Sequence, residues 1–96
     1  MNDKNMVKLH CYVTCDDILN GQIGIASSCP IAHALKRRLE ETPTVGRKYA
    51  NLFAKRDKSY RTKLPEKACD FIEKFDGRNH VKPMRFTIRV RKECLK

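Results

Sequence analysis

The run Met84-Arg85-Phe86-Thr87-Ile88-Arg89-Val90-Arg91 alternates apolar and polar residues without a break. Successive side chains of a strand point to opposite faces. The run therefore predicts a strand with Met84, Phe86, Ile88 and Val90 on a core, and Arg85, Thr87, Arg89 and Arg91 on the opposite face. Met6 to Val13 repeats the pattern near the other end of the chain. There Val7, Leu9, Cys11 and Val13 face one way, and Lys8, His10 and Tyr12 the other. Half-buried strands of this kind demand elements that cover one face and leave the other wet.

Helices supply the cover. In Ser27 to Leu39, Pro30 suits the first helical position, where its missing N–H costs nothing, and Cys29 falls at the N-cap. Ile31, Ala34, Leu35 and Leu39 form an apolar stripe, so the helix is expected from Pro30 to Glu40, with Thr42-Pro43 stopping it. Pro65 opens a second helix, on which Ala68, Phe71, Ile72 and Phe75 share one face and Asp76-Gly77 marks the end. A short helix is predicted after Thr14, with Asp17 in the capping-box position and Gly21 at its end. Tyr49 to Ala54 fits either a helical turn or a strand; the preferred reading is a hairpin of Arg47–Lys55 and Ser59–Leu64, turning at Arg56-Asp57-Lys58.

The order β-α-β-β-α-β predicts an α+β fold. It would be a four-stranded sheet with two main helices on one face, ferredoxin-like, or an antiparallel meander with helices inserted on one side. The chain is expected to form one domain over residues 1–96, with flexible ends at 1–5 and 92–96. Its expected core is Val7, Leu9, Cys11, Val13, Ile31, Leu35, Leu39, Leu52, Leu64, Ala68, Phe71, Ile72, Phe75, Phe86, Ile88 and Val90.

Charge narrows the class of partner. Lys and Arg number 21 against 11 Asp and Glu, a net charge of +10. That excess predicts attraction to polyanions: nucleic acid, anionic lipid or an acidic protein face. No apolar run approaches the length of a membrane span, so no membrane partner is expected. Met1-Asn2-Asp3-Lys4-Asn5 has no apolar stretch of the signal-peptide kind, which predicts a cytoplasmic protein. Five cysteines, an odd number without a signal peptide, predict reduced thiols packed as small apolar groups.

Catalytic and metal chemistry find weak support. Cys11, Cys15, Cys29 and His33 have the spacing C-x3-C-x13-C-x3-H, which zinc can use. Cys11, however, falls on the inward face of its strand, so core packing is the preferred reading. Cys29 at a helix start has the setting of a lowered thiol pKa, and His33 lies one turn on. No third group orients the pair, as a nucleophile requires. Asp16 and Asp17 read as helix-start charges, and Glu40 and Glu41 as partners for Arg37 and Arg38. No phosphate loop, G-x-S-x-G or H-E-x-x-H occurs. The sequence predicts no enzyme, no cofactor and no metal.

Several short stretches carry a resemblance. They are Ile18-x-x-Gly21 with Gly24, then Cys29-Pro30-Ile31-Ala32-x-Ala34-Leu35. Next come Leu64-Pro65-x-x-Ala68-x-x-Phe71-Ile72-x-x-Phe75-Asp76 and Pro83-x-x-Phe86. Together, over residues 7 to 90, they resemble a family of small bacteriophage proteins, with Cys-Pro-Ile-Ala the most distinctive piece. The resemblance implies a phage origin and a host-cytoplasm location, and brings no activity and no catalytic residues. This chain is more basic than such proteins, notably at Lys36–Arg38 and Lys55–Lys63.

The remaining candidate is the basic surface. Arg85, Arg89 and Arg91 share the outward face of the last strand, and the hairpin places Arg61 and Lys63 toward the same side. Lys8, His10 and Tyr12 of the first strand join them. A sheet face of Arg and Lys with a Tyr can contact phosphates and stack a base. The element order matches an RRM, but Ser59-Tyr60-Arg61-Thr62-Lys63-Leu64 lacks the Gly and paired aromatics of its RNP1 motif. Lys36, Arg37 and Arg38 at the end of the central helix form a second basic cluster. The expected partner is nucleic acid bound through phosphates. The alternative is a phage-encoded interaction protein that docks on an acidic host enzyme or defence complex and inhibits it.

Overall fold

The computed structural model describes residues 6–54 and 58–96. Its first strand, β1 (Met6–Val13), pairs antiparallel with the last, β5 (Met84–Arg91), in the register Val7↔Val90, Leu9↔Ile88, Cys11↔Phe86. These inward pairs enter a core in which Leu9, Cys11, Val13, Phe86, Ile88 and Val90 are buried. Between the two strands run α1 (Cys15–Asn20), α2 (Pro30–Lys36), β2 (Thr44–Val45), β3 (Tyr49–Ala54), β4 (Lys58–Lys63) and α3 (Glu66–Asp76). A 3-10 turn, Lys92–Cys94, follows β5. No helix among the described residues is long and apolar enough to cross a membrane.

The protein is α+β, with its strands in two sheets instead of the single four-stranded sheet expected. β1 pairs with β5, and β2, β3 and β4 form a separate antiparallel sheet in that order. In a ferredoxin-like fold β1 would be an interior strand. Here its outer edge is closed by side chains: Arg38 Nη1 donates to His10 O at 3.1 Å and Arg37 Nη2 to Tyr12 O at 2.9 Å. Capped carbonyls of this kind block further strand pairing at an edge. The two sheets meet along β4 and β5, where Thr62 Oγ1 donates to Arg89 O at 2.9 Å. A side-chain hydrogen bond stands there in place of a backbone ladder.

α1 forms as its sequence predicts. Thr14 Oγ1 accepts from the Asp17 amide at 3.2 Å, and Asp17 Oδ2 accepts from the Thr14 amide at 2.9 Å, a complete capping box. Gly21 follows with φ −70°, an ordinary value, so its freedom to turn left-handed is not used. Proximity explains it: a Cβ there would lie 2.6 Å from the Pro30 ring. Pro30 is the first residue of α2, so this close approach seats the second helix against the end of the first.

α2 stops at Lys36, short of the expected Glu40. Arg37 and Arg38 leave the helix to reach β1. Leu39, still buried, bridges to Leu95 near the C-terminus. Glu40 N donates to Cys94 O at 2.8 Å and Lys96 N to Arg38 O at 3.1 Å. Residues 92–96, expected as a flexible basic tail, are therefore tied down, with Cys94 fully buried. The expected flexible segment 1–5 and the expected turn at Arg56-Asp57 lie outside the described residues, as does Lys55 at the end of the expected strand. The hairpin itself is present as β3 and β4, with Leu52↔Tyr60 and Asn51↔Arg61 in register. Of the expected core residues, Val7 and Phe75 are only half-buried; Phe75 stacks on buried Phe71 with ring centres 6.4 Å apart.

Arg37 does not pair with the glutamates that follow it. Its guanidinium grips Asp17 at both oxygens, at 2.5 and 2.9 Å. The Asp17 side chain is 5 % exposed and that of Arg37 is 49 % exposed. Burial pushes the Asp17 carboxyl up, but the hydrogen bonds from Arg37 and Thr14, with the Arg37 charge, outweigh it and hold it below the ordinary range. A lowered folded-state pKa gives stability that is complete above the unfolded value, about 3.9. That stability is lost as pH falls through the folded value. Acid unfolding followed by circular dichroism should show this loss below about pH 4, and Asp17→Asn should remove it. Arg37→Ala should cost about 1–2 kcal/mol near neutral pH, because half-exposure of the guanidinium screens the pair.

Candidate functional site

The outward face of the β1–β5 pair follows from strand parity. Lys8 stands across from Arg89, His10 from Thr87 and Tyr12 from Arg85. All six side chains are exposed. His10 Nδ1 and Thr87 Oγ1 share a hydrogen bond of 2.9 Å, which fixes the middle of the face. Lys8 and Arg89 are thus two cations directly across the ladder from each other.

Between this face and β4 lies an open groove of about 940 Å³. Lys8 and Arg89 form one wall, and Arg61, Lys63 and Lys48 the other. Among the described residues, Leu64, Pro65, Ile88 and Cys69 add apolar lining and Glu66 a carboxylate. The groove exists because β4 is held to β5 by the Thr62 side chain, which leaves the sheets adjacent but unzipped. Among the described lining residues, five cations stand against one carboxylate, which focuses a positive potential into the groove.

Each of the chain's three tyrosines carries an arginine over its ring. Arg61 lies 4.7 Å from the Tyr49 centroid, beside the groove. Arg85 lies 5.6 Å from that of Tyr12, at the far end of the β1–β5 face. Arg91 lies 4.7 Å from that of Tyr60, on the inward side of β4. Exposed stacks of this kind are worth about 0.5–1 kcal/mol, enough to orient a guanidinium but not to lock it. Stacking of a nucleic-acid base on an aromatic ring, about 1–3 kcal/mol, exceeds that.

The structure thus gathers Arg61, Lys63 and Arg89 from the sequence-derived candidates and places Arg85 farther along the same face. Arg91 is half-buried against Tyr60, and Lys36 is exposed at the end of α2. Arg37 and Arg38 are engaged with Asp17 and the β1 carbonyls, which gives them a structural role. Lys48 is the cation that sequence reasoning missed. Its signal was slight: a basic residue just before Tyr49, in a segment whose strand character was itself in question.

The cysteines and histidines do not assemble. Among the described residues, no three of His, Cys, Asp or Glu come together as a metal-binding group. Burial pushes the Cys11 thiol up to about 11, with Arg38 and Arg37 opposing the rise. Burial likewise raises Cys29, which the neighbouring amides of Ala32 and Ile31 only partly offset. The helix start therefore does not activate this thiol. His33 Nε2 is buried without a hydrogen-bond partner among the described residues.

Comparison of the chain with protein-family models, with curated proteins and with solved structures finds no match. The geometry of the groove is what bears on function.

The thiols give a direct check on the chemistry. Cys15 is exposed, whereas Cys11, Cys29 and Cys94 are buried. An aromatic disulfide reagent at neutral pH should label Cys15 within seconds to minutes, and those three only when the protein unfolds. Fast labelling of Cys29 in the folded protein would contradict the inert-thiol assignment.

Proposed function

We propose that this protein binds nucleic acid through its phosphates, in the groove between its two sheets, with little reading of base identity. One observation carries the reading: Lys8, Lys48, Arg61, Lys63 and Arg89 converge on a single concavity from three separate strands and the turn before β3. A solvated charged surface spreads its cations apart. Here the fold brings them together around one groove. Arginine suits this work because its planar fork grips a phosphate with two hydrogen bonds and can lie flat against a base.

The resemblance around Cys29-Pro30-Ile31-Ala32 supports a phage origin and action in the cytoplasm of an infected host. A second reading, docking on an acidic host protein to inhibit it, is favoured by a different surface. Leu19 is 79 % exposed, with Ile23 and Ile25 exposed nearby in sequence. Such side chains suit a protein interface and have no use in a phosphate groove.

Salt separates the readings. For a labelled oligo-dT strand, each neutralised phosphate contributes about −0.7 to the slope of log K against log salt, so four or five contacts give about −3. The double variant Lys8→Glu/Lys63→Glu should bind at least tenfold more weakly and lower the slope by about 1.4. Its circular dichroism should be unchanged, because both residues are exposed. A slope near zero, or an unchanged slope in the variant, would place binding elsewhere.

A further inference from the structure

The phosphate groove continues into a surface that phosphate binding alone does not require. At one end stands Tyr49, 42 % exposed, with Arg61 of the groove wall over its ring. At the other end stands Tyr12, 49 % exposed, with Arg85 over its ring. The groove spans the gap between the two sheets, and from it the β1–β5 register leads on to Tyr12. Lys8 and Arg89 line the groove, Thr87 lines it and bonds His10, and the next pair along is Tyr12 with Arg85. Tyr12 lies four residues from Lys8, roughly 13 Å along the strand. The track thus has cations at the groove and at Arg85, a polar His10–Thr87 pair between them, and an exposed Arg–Tyr stack at each end.

We propose that the occupant of this track is a single strand, and that Tyr49 with Arg61 and Tyr12 with Arg85 are stacking platforms for its bases. The proposal rests on the phosphate-binding reading and adds the form of the nucleic acid to it. Bases in a duplex are stacked on one another and present no free ring face. Those of a single strand do, and they stack on aromatic rings and guanidinium planes alike. Each platform offers both surfaces, because the arginine covers one part of a ring that remains open to solvent elsewhere. Such stacking tolerates any sequence, since every base has a π-face, which fits a site with few groups placed to read base edges. Tyr60 is not part of the track: it is half-buried and sits opposite Leu52 on the inward side of the hairpin.

Fluorescence anisotropy with two labelled strands of equal length and charge tests the proposal. One is a 12-nucleotide oligo-dT and the other an abasic backbone without bases; a duplex of the same length is the third probe. The expected result is that oligo-dT binds at least about fivefold more tightly than the abasic strand. Tyr12→Leu/Tyr49→Leu should remove that advantage, so that oligo-dT and the abasic strand bind the variant equally. Tyr12→Phe/Tyr49→Phe should retain it, which also shows that the effect comes from the rings and not from misfolding. Equal affinity for oligo-dT and the abasic strand would overturn the platforms and leave phosphate binding standing. Tighter binding of the duplex would overturn the single-strand assignment. Failure to bind any of the three at low salt would overturn the phosphate reading, and this proposal with it.

Discussion

The antiparallel pairing of β1 with β5 is the constraint on which the rest of the structure depends. It joins the two ends of the chain, from Met6↔Arg91 to Val13↔Met84, across everything between them. One set of side chains enters the core and the other meets water, so the ladder creates the hydrophobic interior and the cationic face in one step. The closure is long, but its entropic cost grows only with the logarithm of loop length. Six buried side chains on the inward face oppose that cost.

How the edges of that ladder are closed decides which cations are available. On the β1 side, Arg37 and Arg38 satisfy the carbonyls of Tyr12 and His10, and Arg37 also holds the buried carboxylate of Asp17. One guanidinium thereby ties the end of α2 to β1 and to the capping box of α1. On the β5 side, side chains hold the second sheet close: Thr62 bonds Arg89 O, and Arg91 lies over the Tyr60 ring. The gap this leaves is the groove. A backbone ladder between β4 and β5 would have zipped the sheets together. The groove therefore follows from the same feature that makes this fold differ from a continuous sheet.

Local elements were legible in the sequence because local physics determines them. The alternation in Met84–Arg91 gave the strand and its faces, Thr14 with Asp17 gave the capping box, and Pro30 and Pro65 marked the helix starts. Leu52, Leu64 and Phe71 were identified as core from periodicity alone and are buried. What failed was set by contacts between distant residues. The helix stripe ran on to Leu39, but Arg37 and Arg38 bond β1, and Leu39 instead bridges to Leu95. The polar ending Lys92–Lys96 resembled a free tail, yet Cys94 and Leu95 find partners only once the chain has closed. For the candidate site, strand parity placed Arg85 and Arg89 with Lys8, His10 and Tyr12. Parity within a strand cannot show which cations of a second sheet will face the first, so Lys48 was missed. It equally cannot show that Arg37 and Arg38 bond within the fold.

The central claim is that the groove between the sheets is where nucleic acid sits. Backbone amide shifts in a ¹⁵N–¹H spectrum, recorded while oligo-dT is added at low salt, test it most directly. The account predicts the largest changes at Lys8, Lys48, Arg61, Lys63, Thr87 and Arg89, with little change along α1 and residues 21–28. Changes confined to Leu19, Ile23 and Ile25, or none at all, would contradict it.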